Sequence, residues 1–132
     1  MRKLIISMVT VLFVALAGAS FAANGDQLFS MRNQLRVLFL DAQSTSDSGV
    51  WFEVRGSLHK AFSVDALETG AIAEIMCLNA KTKPANANDG PVAVTLTPAV
   101  LAGVVNQSFR YCKAKKTQGG TPAPSTLIME GR

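Results

Sequence analysis

The N-terminal segment at positions 1–22 constrains this chain most, because it predicts the compartment and leaves one short domain to fold. Two basic residues precede a run at positions 4–17 that is apolar except for Ser7 and Thr10. Ser20 and Ala22 then supply the small residues that a signal peptidase reads, which completes the layout of a secretory signal peptide. We expect cleavage after Ala22 and a periplasmic protein, with secretion as the alternative. An uncleaved anchor would need about 20 apolar residues.

The mature chain is short and nearly neutral. Removing the predicted signal peptide leaves positions 23–132, a length that suits a single domain with a modest core. The whole chain carries 13 basic and 9 acidic residues, so losing Arg2 and Lys3 reduces the net charge from +4 to 11 − 9 = +2. Such a charge gives no general attraction to nucleic acid. We expect no nucleic-acid partner and no stable membrane anchor after cleavage.

Cys77 and Cys112 are the two cysteines of the chain. Cysteines of an exported protein most often pair, because the compartment is oxidising. The two cysteines are too far apart in sequence to form a C-x-x-C redox motif. Together with His59, the single histidine, they are too few ligands for a structural zinc site. We therefore predict a structural disulfide, with two free buried thiols as the alternative.

The spacing of apolar residues predicts a mainly all-α fold, a small bundle of about four helices that the disulfide staples together. For example, Leu28, Met31, Leu35 and Leu38 recur at helical intervals, and Thr97-Pro98 is a typical helix start. The expected elements are helices at about 26–42, 50–62, 63–80 and 97–116, a short extended segment at 92–96, and a flexible tail at 117–132. The segment 50–62 also alternates as a strand would, and a short strand at 126–129 is a further alternative. The disulfide is expected to join the third and fourth helices.

No residue pattern indicates catalysis. The chain contains no phosphate-binding loop, dinucleotide fingerprint, zinc-protease motif or calcium loop. His59 could act as a base, and Asp65, Glu68 and Glu74 could pair as carboxylates, but a lone histidine and a solvated helix face are the commoner explanations. We expect a protein without enzymatic activity, cofactor or bound metal.

Four residues are candidates for an interface with a protein partner. Trp51 follows a polar loop, and aromatic and arginine side chains anchor many interfaces. Arg110, Tyr111 and Lys113 lie in a basic cluster near the C-terminus, which would suit an acidic partner or a membrane surface. The alternative for this cluster is a solvated helix end, where cations suit the helix dipole.

These observations predict a small exported protein-interaction or accessory module of the bacterial envelope. Gly25-Asp26-Gln27-Leu28, the two cysteines, and Val94-Thr95-Leu96 ahead of Val104-Val105 resemble features of the Rap/Tai family of periplasmic immunity proteins, over a small part of the chain. That resemblance implies a helical protein that neutralises an envelope-targeting enzyme. A small-ligand carrier and an envelope-stress chaperone are further alternatives.

Overall fold

A computed structural model describes residues 26–31, 34–55 and 57–132, and within them every regular element is a β-strand. The predicted signal peptide lies outside the described residues. The strands are β1 (Asp26–Met31), β2 (Gln34–Gln43), β3 (Phe52–Glu53), β4 (Lys60–Val64), β5 (Ile72–Leu78), β6 (Val92–Leu96), β7 (Ala102–Val105), β8 (Tyr111–Thr117) and β9 (Ser125–Gly131).

The strands form two antiparallel sheets. One has five strands in the order β1-β2-β9-β4-β7, and the other has four in the order β3-β8-β5-β6. Their inner side chains share one core, in which the rings of Phe39 and Phe62 lie 5.9 Å apart. The mainly all-α four-helix bundle predicted from the sequence is therefore wrong. The segments expected to be helices contain strands instead, because pairing with distant strands decides their structure and the local spacing of apolar residues does not.

The segment predicted as the third helix shows why the two periods are easily confused. Along β5, Ala73, Ile75 and Cys77 enter the central core, whereas Met76 and Leu78 join a second apolar cluster. Both faces of this strand are covered, and a strand covered on both faces carries apolar residues almost continuously. Such a run resembles the broad apolar side of a buried helix.

Thr97-Pro98 begins a turn and not the predicted fourth helix. The Thr97 amide donates to the Val100 carbonyl at 3.0 Å, and the Val100 amide returns a bond to Thr97 at 2.9 Å. Proline fixes φ near the value needed both at the first position of a helix and at the second position of a β-turn. The extended segment predicted just before this turn is present as β6, Val92–Leu96.

The C-terminal segment expected to be a flexible tail instead ends in β9, between β2 and β4 in the centre of the five-stranded sheet. Leu127 and Met129 are fully buried in the core. The segment 118–124, which is rich in glycine and proline, connects β8 to this strand.

The predicted disulfide is present and joins Cys77 to Cys112. It links strands β5 and β8, where the two residues face each other directly across the ladder, and not two helices. Both cysteines are buried in the central core.

Candidate functional site

Three lysines of the described ranges are buried, although lysine is almost never fully buried without partners. Lys60 and Lys113 have no exposed surface, and Lys116 exposes 1%. Each ammonium group donates to backbone carbonyl oxygens of a loop or turn. Because loop carbonyls removed from water need donors, these lysines fasten irregular segments onto the two sheets.

Lys113 fastens the loop between β5 and β6 over the outer face of the four-stranded sheet. Its Nζ donates to the carbonyls of Asn86 and Asn88 at 3.0 and 2.8 Å and lies 5.3 Å from the Trp51 ring. It also pairs with Asp89 at 2.9 Å, and Lys115 takes the other carboxylate oxygen at 2.8 Å. Hydrogen bonds from Lys115 and Lys113 lower the pKa of Asp89.

Lys116 occupies the inner face of β8 at one end of the core. Its Nζ donates to the carbonyls of Gln43, Ser44 and Ala123 and to the Ser125 hydroxyl, at 2.8–3.2 Å. Glu68 Oε2 lies 3.0 Å from the same nitrogen. Since three ammonium protons already serve four oxygens, Glu68 adds charge compensation more than a directed bond.

The carboxylate of Glu68 is held in its charged form. Burial by itself would raise the pKa of Glu68, but the Lys116 ammonium and the Gly119 amide hold it below the usual value. The Gly119 amide donates to Glu68 Oε1 at 3.1 Å. Glu68 is therefore part of the support for the chain reversal that leads to β9.

Lys60 lies at the start of β4 and donates to two neutral acceptors, the Ser57 carbonyl and the Gln107 carbonyl, the latter at 2.7 Å. The Phe109 ring centroid lies 6.0 Å away. Burial lowers the pKa of Lys60 from 10.5, because a charged ammonium loses hydration there.

We expect Lys60 to make stability depend on alkaline pH. Its folded pKa lies below its unfolded pKa of 10.5, so the unfolded chain binds the proton more tightly between these values. The contribution of Lys60 to stability should therefore rise as pH increases through that window, and should be constant below it. Urea unfolding of the wild type and Lys60→Met, at pH values from neutral to about 10.5, measures the difference. A wild type that loses stability relative to Lys60→Met as pH rises would contradict this sign.

The structure places the four predicted interface residues within or against the fold. Trp51 is fully buried, and its indole nitrogen donates to the Asn88 carbonyl at 3.1 Å. Tyr111 exposes 5% and packs in the same cluster as Trp51. Arg110 pairs with Glu53 at 3.1 Å and donates to the Lys81 carbonyl at 2.7 Å. Lys113 is buried on the outer face of β8 and Lys116 on its inner face, so the predicted basic cluster does not form a single surface patch.

A different surface has the properties of an interface. Residues 90–109, which contain β6 and β7, include no charged side chain, and we name their surface the neutral face. Val92, Val100 and Val104 on it are 47%, 52% and 49% exposed. Val92 and Val104 line the same opening, and exposed apolar side chains that lie together commonly mark an interaction site. The sequence signal for this surface is the missing charge, which the motif-based interpretation did not use.

The neutral face contains a groove of about 490 Å³ between β6 and β7. The two strands approach closely at Gly103, where an added Cβ would overlap a methyl carbon of Val94 and force that side chain to move. Beyond this point the strands diverge, and Pro91, Val92, Val104 and Phe109 line the opening. The groove is therefore a gap between the edge strands of the two sheets.

The residues considered for catalysis do not gather at this groove. His59 is exposed, and its backbone pairs with that of Arg132. Asp65 accepts bonds from the amides of Ala66 and Thr126, both at 2.7 Å. In residues 26–31, 34–55 and 57–132 no three acidic, histidine or cysteine side chains are placed to hold a metal ion. None of the elements in these ranges is a helix that could span a bilayer.

No protein-family model matches this chain, and no curated protein matches it in sequence. Among solved structures, the SPBc2 prophage-derived protein YomS matches with a TM-score of 0.53 and 8% identity, over 80% of this chain and all of that one. A structure from the disulfide-linked pili of Bacillus endospore appendages matches with a TM-score of 0.37 and 14% identity, over 84% of this chain and 93% of that chain. The likeness to YomS concerns the fold alone, and the second likeness is too low to support an argument.

Proposed function

We propose that this protein is an exported accessory module of the bacterial envelope that acts by binding a protein through its neutral face. The observation that carries this proposal is the uncharged surface of residues 90–109, with three half-exposed valines, two of which line an open groove. Burying such side chains against a partner removes apolar area from water at little desolvation cost, because no charge must be stripped of its hydration.

The basic residues near the C-terminus are less suited to bind an acidic partner. Arg110, Lys113 and Lys115 are engaged by Glu53 and Asp89 of the same chain. An acidic partner would have to compete with these carboxylates. Within residues 26–31, 34–55 and 57–132, the valine side chains of the neutral face have no comparable partner, and they remain about half exposed.

A capture experiment tests the proposal. The tagged protein, expressed with its own N-terminal segment and recovered after export, is incubated with envelope extract of the source cell. We expect Val104→Lys to reduce partner recovery at least about tenfold, because a charge would be buried without a counter-ion. Ala87→Lys, which adds the same charge at an exposed alanine outside the neutral face, should leave recovery unchanged. Equal recovery on all three baits would contradict the proposal.

A further inference from the structure

We propose that the partner of the neutral face is a second copy of this chain, paired edge to edge through β7. This inference rests on the proposed function and names its partner. The five-stranded sheets of two copies would then continue across a two-fold axis. Four features of the described residues support it: the regular edge of β7, the direction of its backbone, the contrast with β3, and the absence of charge.

The outer edge of β7 is regular, and no other strand of the described residues pairs with it. β7 is the last strand of the five-stranded sheet, and its pairing with β4 runs from Ala102 to Val105 without a register shift. The neighbouring edge strand β6 differs, because its ladder with β5 shifts between Ile75 and Met76 and Pro91 directly precedes it. Bulges and prolines are devices that protect sheet edges from pairing. β6 has both, and β7 has neither.

The backbone of β7 presents hydrogen-bonding groups at that edge. The Leu101 carbonyl accepts from the Val64 amide of β4 at 2.9 Å. Because backbone groups alternate in direction along a strand, Gly103 and Val105 also turn toward β4, whereas Ala102 and Val104 turn away. The outward groups of Ala102 and Val104 can therefore form a short antiparallel ladder with an equivalent strand.

The edge of the opposite sheet shows how this molecule protects a strand. β3 is two residues long, and Glu53 within it pairs with Arg55 at 3.0 Å and with Arg110 at 3.1 Å. Short length and charge both discourage edge-to-edge association. β7 is also short, but it contains no charged residue, and Val104 within it is half exposed.

The absence of charge indicates a second copy as the occupant. A neutral, valine-rich edge offers no charge to attract or orient an acidic or basic partner. A two-fold interface brings the same patch of two molecules together, so any charge on it would face its own sign. Residues 90–109 meet this requirement over their whole length, because they contain no charged side chain. β7 of another molecule supplies an equally neutral strand with matching outward backbone groups.

Sedimentation of the purified protein tests this inference, again after expression with its own N-terminal segment and recovery after export. We expect the wild type and Ala87→Lys to show a concentration-dependent monomer–dimer equilibrium from micromolar to millimolar protein. Val104→Lys and Val104→Glu should each raise the dimer dissociation constant about tenfold or more, because like charges meet across the axis. A mixture of the two variants should recover dimer at low ionic strength, where opposite charges attract over about 10 Å or more.

Each outcome is decisive once thermal unfolding shows that the variants are folded. If Val104→Lys does not fold, Ala102→Lys replaces it in the sedimentation experiment, because Ala102 is the other residue of β7 whose backbone groups turn away from β4. A wild type that stays monomeric overturns the inference, as does a dimer that Val104→Lys leaves intact. If the purified protein is monomeric while capture from envelope extract still depends on Val104, the proposed function stands and the partner is a different protein. If neither measurement depends on Val104, both proposals fail.

Discussion

Replacing Lys116 with methionine should lower the free energy of unfolding by about 3–5 kcal/mol, because it removes the donor for several buried oxygen atoms at once. The ammonium serves carbonyls of Gln43, Ser44 and Ala123 as well as the Ser125 hydroxyl. Methionine fills a similar volume, so the loss reports unsatisfied acceptors and the uncompensated Glu68 carboxylate rather than a cavity. Urea unfolding at neutral pH measures the change.

Lys115→Met is the matched control for this prediction. Lys115 is the neighbour of Lys116 on β8, but its side chain is one-third exposed and its partner Asp89 is nearly half exposed. Exposed ion pairs contribute little to stability, so the control should unfold close to the wild type. If both substitutions cost the same, the stabilising role assigned to the buried ammonium is wrong.

Replacing both cysteines with alanine should lower the free energy of unfolding by about 3–4 kcal/mol, from the loop-closure entropy that the disulfide removes from the unfolded chain. The bond joins positions separated by 35 in the sequence, and the loop that it closes contains β6, β7 and all of the neutral face. It connects residues that already face each other in the β5–β8 ladder. The expected loss therefore comes mainly from the unfolded state and not from altered strand pairing.

Chemical reduction tests the effect of losing the disulfide without changing the cysteine side chains to alanine. Dithiothreitol should lower the stability of the wild type toward that of the Cys77→Ala/Cys112→Ala variant and should leave the variant unchanged. A variant as stable as the oxidised wild type would show that the closed loop contributes nothing. A wild type insensitive to complete reduction would lead to the same conclusion.

The disulfide is predictable because it depends on few facts. Two cysteines in a chain with an expected export signal have one possible intramolecular pairing, whatever the secondary structure. The extended segment at Val92–Leu96 is also predictable. Its larger apolar residues occur at every second position, and a proline lies near each end of the segment. Neither prediction requires knowledge of which strands lie next to each other.

The error over the helices has a physical cause. Apolar residues in a short window match a helical stripe and a doubly covered strand almost equally well, and long-range pairing decides between them. β9 illustrates this, because Ser125–Gly131 gains its place from ladders with β2 and β4, both distant in sequence. The local sequence of such a segment does not reveal these partners and predicts a flexible tail instead.

The basic cluster is divided for a related reason. Arg110, Lys113, Lys115 and Lys116 suggest one patch because they are close in sequence. In a strand, successive residues point to opposite faces, so Lys113 and Lys116 separate to the outer and inner sides of β8. Segments that are remote in sequence then cover them: Lys116 donates to the carbonyls of residues 43 and 44 at the end of β2, and Lys113 to those of residues 86 and 88 in the β5–β6 loop.

The amino-acid sequence by itself determined the cysteine pairing, the extended segment at β6 and the lack of charge in residues 90–109, because these depend on composition and local pattern. The tertiary structure alone decided that the described chain is a two-sheet β fold, that three of its lysines are internal, and that β6 and β7 lie at adjacent sheet edges. Those properties arise from pairings between strands that lie far apart in the chain. The free energy of such pairings depends on contacts that no short segment of sequence contains.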